Sequence, residues 1–240
     1  MAHMPQRHLR AAMPLLFLII QPAAVAAAKP HSITFGKWTT VQSLPEFGTA
    51  EDKPLALKVR PLLVDAHIKE FTLGSAHEIT DRLFAVRRAF RVNDSLPQES
   101  TSPPHWQWQL GGWLLVDRTT GRISPINLPD FDVLYSTTSW YRDYAAYCGI
   151  SDDGKKAYAV VAQINRRKPI LKKPLENETT TGKELKDASA DSACPTPVWQ
   201  RAPTRVTFEP AGVPKQTFAI RGHAVDLVSE SEDQEEEASK

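Results

Sequence analysis

The residue types that perform catalysis are present in this sequence, but their spacing matches no familiar catalytic or metal-binding motif. The 240-residue chain contains no G-x-S-x-G, no G-x-x-x-x-G-K-[ST], no G-x-G-x-x-G and no H-E-x-x-H. Its histidines after residue 28 never stand two or four positions apart, the spacing that places two ligands on one face of a strand or helix. They are His31, His67, His77, His105 and His223. We therefore predict no metal and no cofactor and leave the catalytic residues unassigned, while a site assembled from distant strands stays open.

Two groups of acidic residues have neighbours that could assist catalysis. His77 and Glu78 precede Asp81, and a carboxylate beside an imidazole can fix the tautomer of a general base. Three further carboxylates lie near aromatic residues and could supply the acid and base of a glycoside-cleaving site. They are Asp130, Asp132 and Asp143. The simpler interpretation is a capped turn with surface charges for the first group and turn residues for the second.

Aromatic residues form the most suggestive pattern. In PHWQWQLGGW, Trp106 and Trp108 alternate with Gln107 and Gln109, which places both indoles on one face of a strand. Rings beside polar side chains suit a sugar-binding surface, because rings cover the apolar faces of sugars and polar groups bind their hydroxyls. The candidate ligand face consists of Trp106, Trp108, Trp140, Tyr141 and Tyr144. The alternative is that these rings pack in the core, where β domains bury large aromatic area.

Residues 1–28 have the pattern of a secretory signal peptide. The first ten residues contain two arginines and no acid, residues 15–20 are all apolar, and small residues follow. The apolar run is too short to cross a hydrocarbon core of ~30 Å. We predict cleavage before Ala27 or Lys29, a secreted or periplasmic location and no transmembrane segment after cleavage. An anchor that is retained is the alternative.

The chain has two cysteines, Cys148 and Cys194, and both follow the predicted leader. Because an exported chain meets an oxidising compartment, we predict that they form one disulfide. Two unpaired buried thiols are the alternative.

Charge and composition bound the partners and the domain organisation. Lys plus Arg number 29 and Asp plus Glu 28, a balance that gives no electrostatic case for nucleic acid as a partner. Residues 171–196 are rich in Lys, Glu and Thr, which predicts a long flexible loop, and residues 229–240 contain six acids, which predicts a disordered tail. The remaining 29–228 forms the predicted domain. Its partner is unknown, with a glycan or an envelope protein as candidates.

Strand patterns dominate this domain. Leu57 and Val59 alternate with polar residues, and Phe84 and Val86 begin a second stripe in which Arg88 shares the apolar face and therefore needs a partner. We predict a mainly β fold, a single non-repeating antiparallel β domain that is sandwich-like or barrel-like. The alternative is a small β-propeller-like fold. One short helix is predicted over residues 75–83, and a connection between strands is the alternative for the same residues.

One stretch has a local likeness to a known family. Within residues 113–162, WLLVDRTTGRI reads as strand, turn and strand, and YCGISDDGKKAYAVVA reads the same way. Ser151, Asp153, Gly154 and Lys155 occupy the S-x-D-G-K turn, with Asp152 in place of the usual proline. This stretch resembles a blade of TolB-like or WD40-like β-propellers. The resemblance implies a hairpin turn in which Asp bonds the backbone and Gly takes a positive φ.

These patterns together predict an exported, non-catalytic binding or structural protein of the cell envelope or extracellular space. The alternative is a secreted glycan-binding protein or glycan hydrolase. A binder needs exposed rings on a shallow face, whereas a hydrolase needs carboxylates, or a histidine and a carboxylate, that converge in a cleft. A partner-binding propeller-like module is a third possibility.

Overall fold

The computed structural model contains fifteen strands and no helix within the residues that it describes. The described residues are 30–43, 55–93, 95, 104–154, 156–175, 194–211, 214–222 and 224–227. The strands form three sheets in which no blade repeats around an axis, so the predicted mainly β, non-repeating domain is confirmed and the propeller alternative is not. Across these residues, no helix has the length and apolarity needed to cross a membrane. The predicted leader 1–28 and tail 229–240 lie outside the described residues.

The strands fall into three consecutive groups along the chain. The first sheet contains β1 (Ile33–Phe35), β2 (Thr39–Ser43), β3 (Leu55–Val64), β4 (His67–Glu78), β5 (Leu83–Asn93), β6 (Trp106–Asp117) and β7 (Ile123–Ile126). The second sheet contains β8 (Ser139–Tyr141), β9 (Tyr144–Ile150), β10 (Ala157–Gln163) and β11 (Leu171–Pro174). The third sheet contains β12 (Val198–Gln200), β13 (Arg205–Phe208), β14 (Gln216–Arg221) and β15 (Ala224–Leu227).

The first sheet closes on itself at one end. Strands β3 to β6 are successive antiparallel neighbours, and β2 pairs antiparallel with β3 and parallel with β6 through Ser43 and Trp108. The alternating apolar residues of these strands point inward, as the period-2 pattern predicts. Leu57, Val59 and Ala89 are buried at the closed end, where Trp108 packs on them.

The other end of the first sheet has a separate apolar cluster. It consists of Leu62, Phe84, Val86, Leu114 and Val116. Strand β1 extends along the free edge of β3, and β7 extends along the free edge of β6. The predicted partner of Arg88 is Glu70 on β4, whose carboxylate lies 2.9 Å from the guanidinium Nε.

The second and third sheets share one apolar core. Val161 and Ala159 of β10 belong to it, together with Val206 of β13 and Phe218 of β14. All four side chains are fully or almost fully buried. A disulfide joins Cys148 of β9 to Cys194, with the Cα atoms 6.4 Å apart, so the predicted bridge is confirmed.

Two boundaries drawn from the sequence need correction. The helix predicted over residues 75–83 is wrong, because β4 continues through Glu78 and the chain then turns, with the Leu83 amide bonded to Thr80 Oγ1 at 3.0 Å. The predicted loop 171–196 begins later than expected, since its first four residues form β11 against β10. A buried Leu171 holds that strand in place, which composition alone does not indicate. Residues 176–193 lie outside the described residues.

The hairpin that resembles a propeller blade has the positive-φ glycine that the resemblance implies, and its Asp153 bonds the side chain of Ser151. Ser151 Oγ donates to Asp153 Oδ1 at 2.6 Å, and Gly154 has a φ of 69° between β9 and β10. Lys155 lies outside the described residues. The turn forms as expected for any tight hairpin, and the relation to propellers stays a prediction.

Removing the disulfide should destabilise the domain without changing its strands. The bridge spans 46 residues, so the double variant C148A/C194A should lose about 4 kcal/mol of unfolding free energy on the loop-entropy model. Urea unfolding followed by tryptophan fluorescence measures the loss. A double variant as stable as the oxidised protein would contradict this prediction.

Candidate functional site

The five residues of the predicted ligand face separate into two groups in the structure. Trp106 and Trp108 lie on β6, at the closed end of the first sheet. Trp140, Tyr141 and Tyr144 lie on β8 and β9 of the second sheet. The two groups have different surroundings and are described separately.

The first group is built by three neighbouring strands. We call Phe71, Arg91, Trp106 and Trp108 the Trp106 face. Arg91 on β5 is the register partner of Trp108 on β6, and β4 lies on the other side of β5. Because cross-strand partners project to the same side of a sheet, these side chains meet there.

Arg91 lies at the centre of the Trp106 face. Its guanidinium carbon is 5.4 Å from the Trp108 ring centroid, 5.6 Å from that of Trp106 and 5.7 Å from that of Phe71. No carboxylate among the described residues pairs with Arg91. Its positive charge therefore faces aromatic rings and solvent, an arrangement that favours cation–π attraction.

The two indoles of the Trp106 face differ in exposure. Trp108 is half-buried, packs on the closed-end core and meets Phe71 edge-on at 5.0 Å. Trp106 is 55% exposed, the largest exposed fraction of the tryptophans that the structure describes. Trp108 is consequently a packing residue that supports Arg91, and Trp106 is the ring that a ligand can cover.

The second group belongs to a packed boundary that we call the junction cluster. It comprises His77, Trp113, Trp140, Tyr141, Tyr144 and Trp199, all half-buried. The imidazole of His77 stacks on Trp140 at 5.5 Å with the planes 19° apart, and Trp113 meets Trp140 edge-on at 5.0 Å. The first sheet therefore contacts the second sheet through these rings.

Hydrogen bonds fix the junction cluster. His77 Nε2 donates to the Arg142 carbonyl at 2.7 Å, and Trp113 Nε1 donates to Thr138 Oγ1 at 3.1 Å. Trp199 Nε1 donates to the Ser139 carbonyl at 3.1 Å, which ties the third sheet to the second. Polar atoms satisfied within the protein characterise packing residues rather than ligand-binding ones.

Tyr141 and Tyr144 complete the same boundary. Their rings lie 5.5 Å and 6.4 Å from the ring of Trp199, and Tyr144 Oη donates to the Gly222 carbonyl at 3.3 Å. The core-packing alternative therefore describes the surroundings of this half of the predicted face. The half that contains Trp106 keeps the exposure that a ligand face requires.

The three aspartates named as a potential glycoside-cleaving group each have a separate local partner. Asp130 pairs with Lys172 at 2.8 Å, and Asp143 accepts from Gln163 Nε2 at 2.8 Å. Asp132 Oδ1 accepts the amides of Leu134 and Tyr135, both at 2.9 Å. These contacts are those of turn and strand-end residues.

The pair of His77 and Glu78 does not form a histidine–carboxylate contact. Glu78 accepts two bonds from Arg118, at 2.7 Å and 2.8 Å, while His77 bonds the Arg142 carbonyl. The bonds from Arg118 hold the pKa of Glu78 below its ordinary value. Within the described ranges, no group of three or more His, Cys, Asp or Glu residues is placed to hold a metal ion.

Sequence reasoning missed two members of the Trp106 face. They are Phe71, which lies in HIKEFTLG, and Arg91, which lies in FAVRRAFRV. Two arginines of β5 have different surroundings: Arg87 is half-buried and donates to the Val133 carbonyl, whereas Arg91 is exposed. Alternation within β5 could have placed Arg91 on the same side as Phe71 only if the register with β4 had been known.

Replacing His77 tests the packing role of the junction cluster. His77→Ala removes one hydrogen bond and one ring stack, so it should cost about 1–3 kcal/mol of unfolding free energy in urea unfolding. His67→Ala is the control, because His67 is exposed on the same strand and its ring bonds only within its own turn, to the Asp65 carbonyl at 2.8 Å. Equal losses from the two variants would contradict this role.

The comparisons with known proteins assign no function to this chain. No protein-family model, curated protein or solved structure matches the chain.

Proposed function

We propose that this protein is an exported, non-catalytic binding protein of the cell envelope or extracellular space, and that it binds a glycan on the Trp106 face. The observation that carries the proposal is the exposed indole of Trp106 beside the guanidinium of Arg91, 5.6 Å away. An exposed ring on a strand is pre-organised for stacking on the apolar face of a sugar. The nearby cation can bind hydroxyls or an acidic substituent of the same glycan.

The rigid position of Trp106 supports binding. The ladder between β5 and β6 runs from the pair of Asn93 and Trp106 to the pair of Leu83 and Asp117. The indole of Trp106 therefore lies at one end of a long ladder. Arg91 is held in turn by the half-buried rings of Phe71 and Trp108. A side chain that is already ordered loses little entropy when a ligand covers it.

Binding is favoured over hydrolysis by the roles of the carboxylates. A glycosidase needs two carboxyl groups on either side of the scissile bond. Among the described residues, Asp130, Asp143 and Glu78 each bond a different neighbouring side chain, namely Lys172, Gln163 and Arg118. No specific observation brings two of them together, so the hydrolase alternative has no comparable support.

Replacing Trp106 should weaken glycan binding. In co-sedimentation with insoluble cellulose, chitin and peptidoglycan sacculi, the wild type should bind at least one of them. Trp106→Ala should then lose affinity about tenfold, because the stacked ring is removed. Ile68→Ala is the matched control, since Ile68 is an apolar side chain of the same sheet that is also strongly exposed, at 57%, but lies outside the Trp106 face. Absence of binding to all three polysaccharides, or equal losses from both variants, would overturn the glycan proposal.

Export makes a separate prediction about the N-terminus. The confirmed disulfide is typical of proteins from oxidising compartments, which supports the cleavable leader predicted in residues 1–28. N-terminal sequencing of the protein purified from its native cells should begin at Ala27 or Lys29. An intact Met1 on a cytosolic form would refute export and leave the glycan test unaffected.

A further inference from the structure

We propose a second binding site on the outer surface of the first sheet, where a groove of about 400 Å³ takes an anionic sugar. The groove is lined by Trp38, Thr40, Lys58, Gly74 and Ser75. Its volume is within the range of small-molecule sites, roughly 300–1,000 Å³, and suits one or two sugar rings. We call it the Trp38 groove, and it shares no residue with the Trp106 face.

The groove exists because two strands diverge. Thr40 and Lys58 are register partners on β2 and β3, but the ladder between β3 and β4 stops at the pair Val59–Leu73. Immediately after Leu73 the register between β4 and β5 shifts, and Gly74 takes a φ of 61°. A Cβ at Gly74 would have no neighbour within 4 Å, so this position faces open space.

An arginine holds the aromatic wall of the groove. The guanidinium carbon of Arg60 lies 3.8 Å from the ring centroid of Phe35 and 4.4 Å from that of Trp38. Arg60 Nη2 also donates to the Gly74 carbonyl, at 3.5 Å. Arg60 thus links the two walls, and the indole of Trp38 stays 47% exposed toward a ligand.

The charges of the groove select an anion. Lys58 is exposed, and no carboxylate among the described residues pairs with it. The lining residues that the structure describes include no acid, and Arg60 adds a second positive charge behind Trp38. The ammonium of Lys58 can therefore bind a carboxylate or sulfate group on the ligand.

The remaining lining atoms specify a sugar rather than a simple anion. Thr40 and Ser75 provide hydroxyl groups that can donate to and accept from ring hydroxyls. Trp38 provides the flat apolar surface that the ring covers. A uronate or a sulfated sugar combines these three requirements: an apolar ring face, several hydroxyls and one negative charge.

Calorimetric titration of the purified protein tests the site with four probes. Trigalacturonate and a heparin-derived disaccharide are acidic sugars, cellotriose is neutral, and phenylacetate is an aromatic acid without ring hydroxyls. At least one acidic sugar should bind more tightly than cellotriose and phenylacetate. Its affinity should fall about tenfold in Lys58→Gln, because one charge-assisted hydrogen bond is lost. Lys215→Gln is the control. Lys215 is exposed, precedes β14 of the third sheet, and its Nζ lies 3.8 Å from Glu209 Oε1.

Trp38→Ala provides a second variant with a different expected signature. It should weaken the acidic sugar through loss of stacking, while Ile68→Ala, which removes an exposed apolar side chain outside both proposed sites, should leave this affinity unchanged. The proposal is overturned if neither acidic sugar binds, if Lys58→Gln binds as the wild type does, or if cellotriose or phenylacetate binds equally well. Circular dichroism checks that both variants keep the strand content of the wild type.

Discussion

The pairing of β2 with two strands at once is the constraint on which both proposed sites depend. β2 has only five residues, yet it pairs with β3 along its length and meets β6 through Ser43 and Trp108. This double pairing closes the first sheet, leaves Ser43 buried and covers Leu57 and Val59. A closed sheet has no unpaired edge at that end, so its outer surface is held in one shape. Thr40 of the Trp38 groove lies on β2 itself, and Trp108 of the Trp106 face is its partner.

Arginines on this sheet have two different roles, and the difference marks the proposed sites. Arg88 and Arg118 bond Glu70 and Glu78, so their charges are largely neutralised by neighbouring strands. Arg60 and Arg91 lie against aromatic rings, and no carboxylate among the described residues pairs with either of them. A guanidinium over a ring keeps its net positive charge while fixing the ring in place. Each proposed site therefore combines an ordered indole with an uncompensated cation.

The disulfide and the strand character of the domain could be predicted because both depend on local patterns. Leu57 and Val59 alternate with polar residues over a few positions, and a chain with two cysteines has one possible intramolecular pairing. The predicted helix was wrong because a serine followed three residues later by a glutamate also occurs in a strand that a neighbouring strand stabilises. Tertiary pairing decided between the two structures, and it is not encoded in the local pattern.

The site could be predicted only in part, for a related reason. Trp106 and Trp140 have similar sequence surroundings, but one lies at the exposed end of β6 and the other between two sheets. Alternation tells which residues share a face of one strand and not which strand lies beside it. The Trp38 groove could not be predicted from the sequence for the same reason, since its walls come from β2, β3 and β4 and only the register of these strands brings them together.

The contacts of the described side chains support the proposed binding role. Asp130, Asp132 and Glu78 each stabilise a turn or an ion pair, and the junction rings stabilise the contact between sheets. Trp106 and Lys58 differ from them, because each is exposed on a strand whose neighbours are already ordered. Their substitution should thus change affinity while leaving the unfolding free energy nearly unchanged, whereas substitution of His77 should do the reverse. That contrast separates a surface selected for binding from one selected for packing.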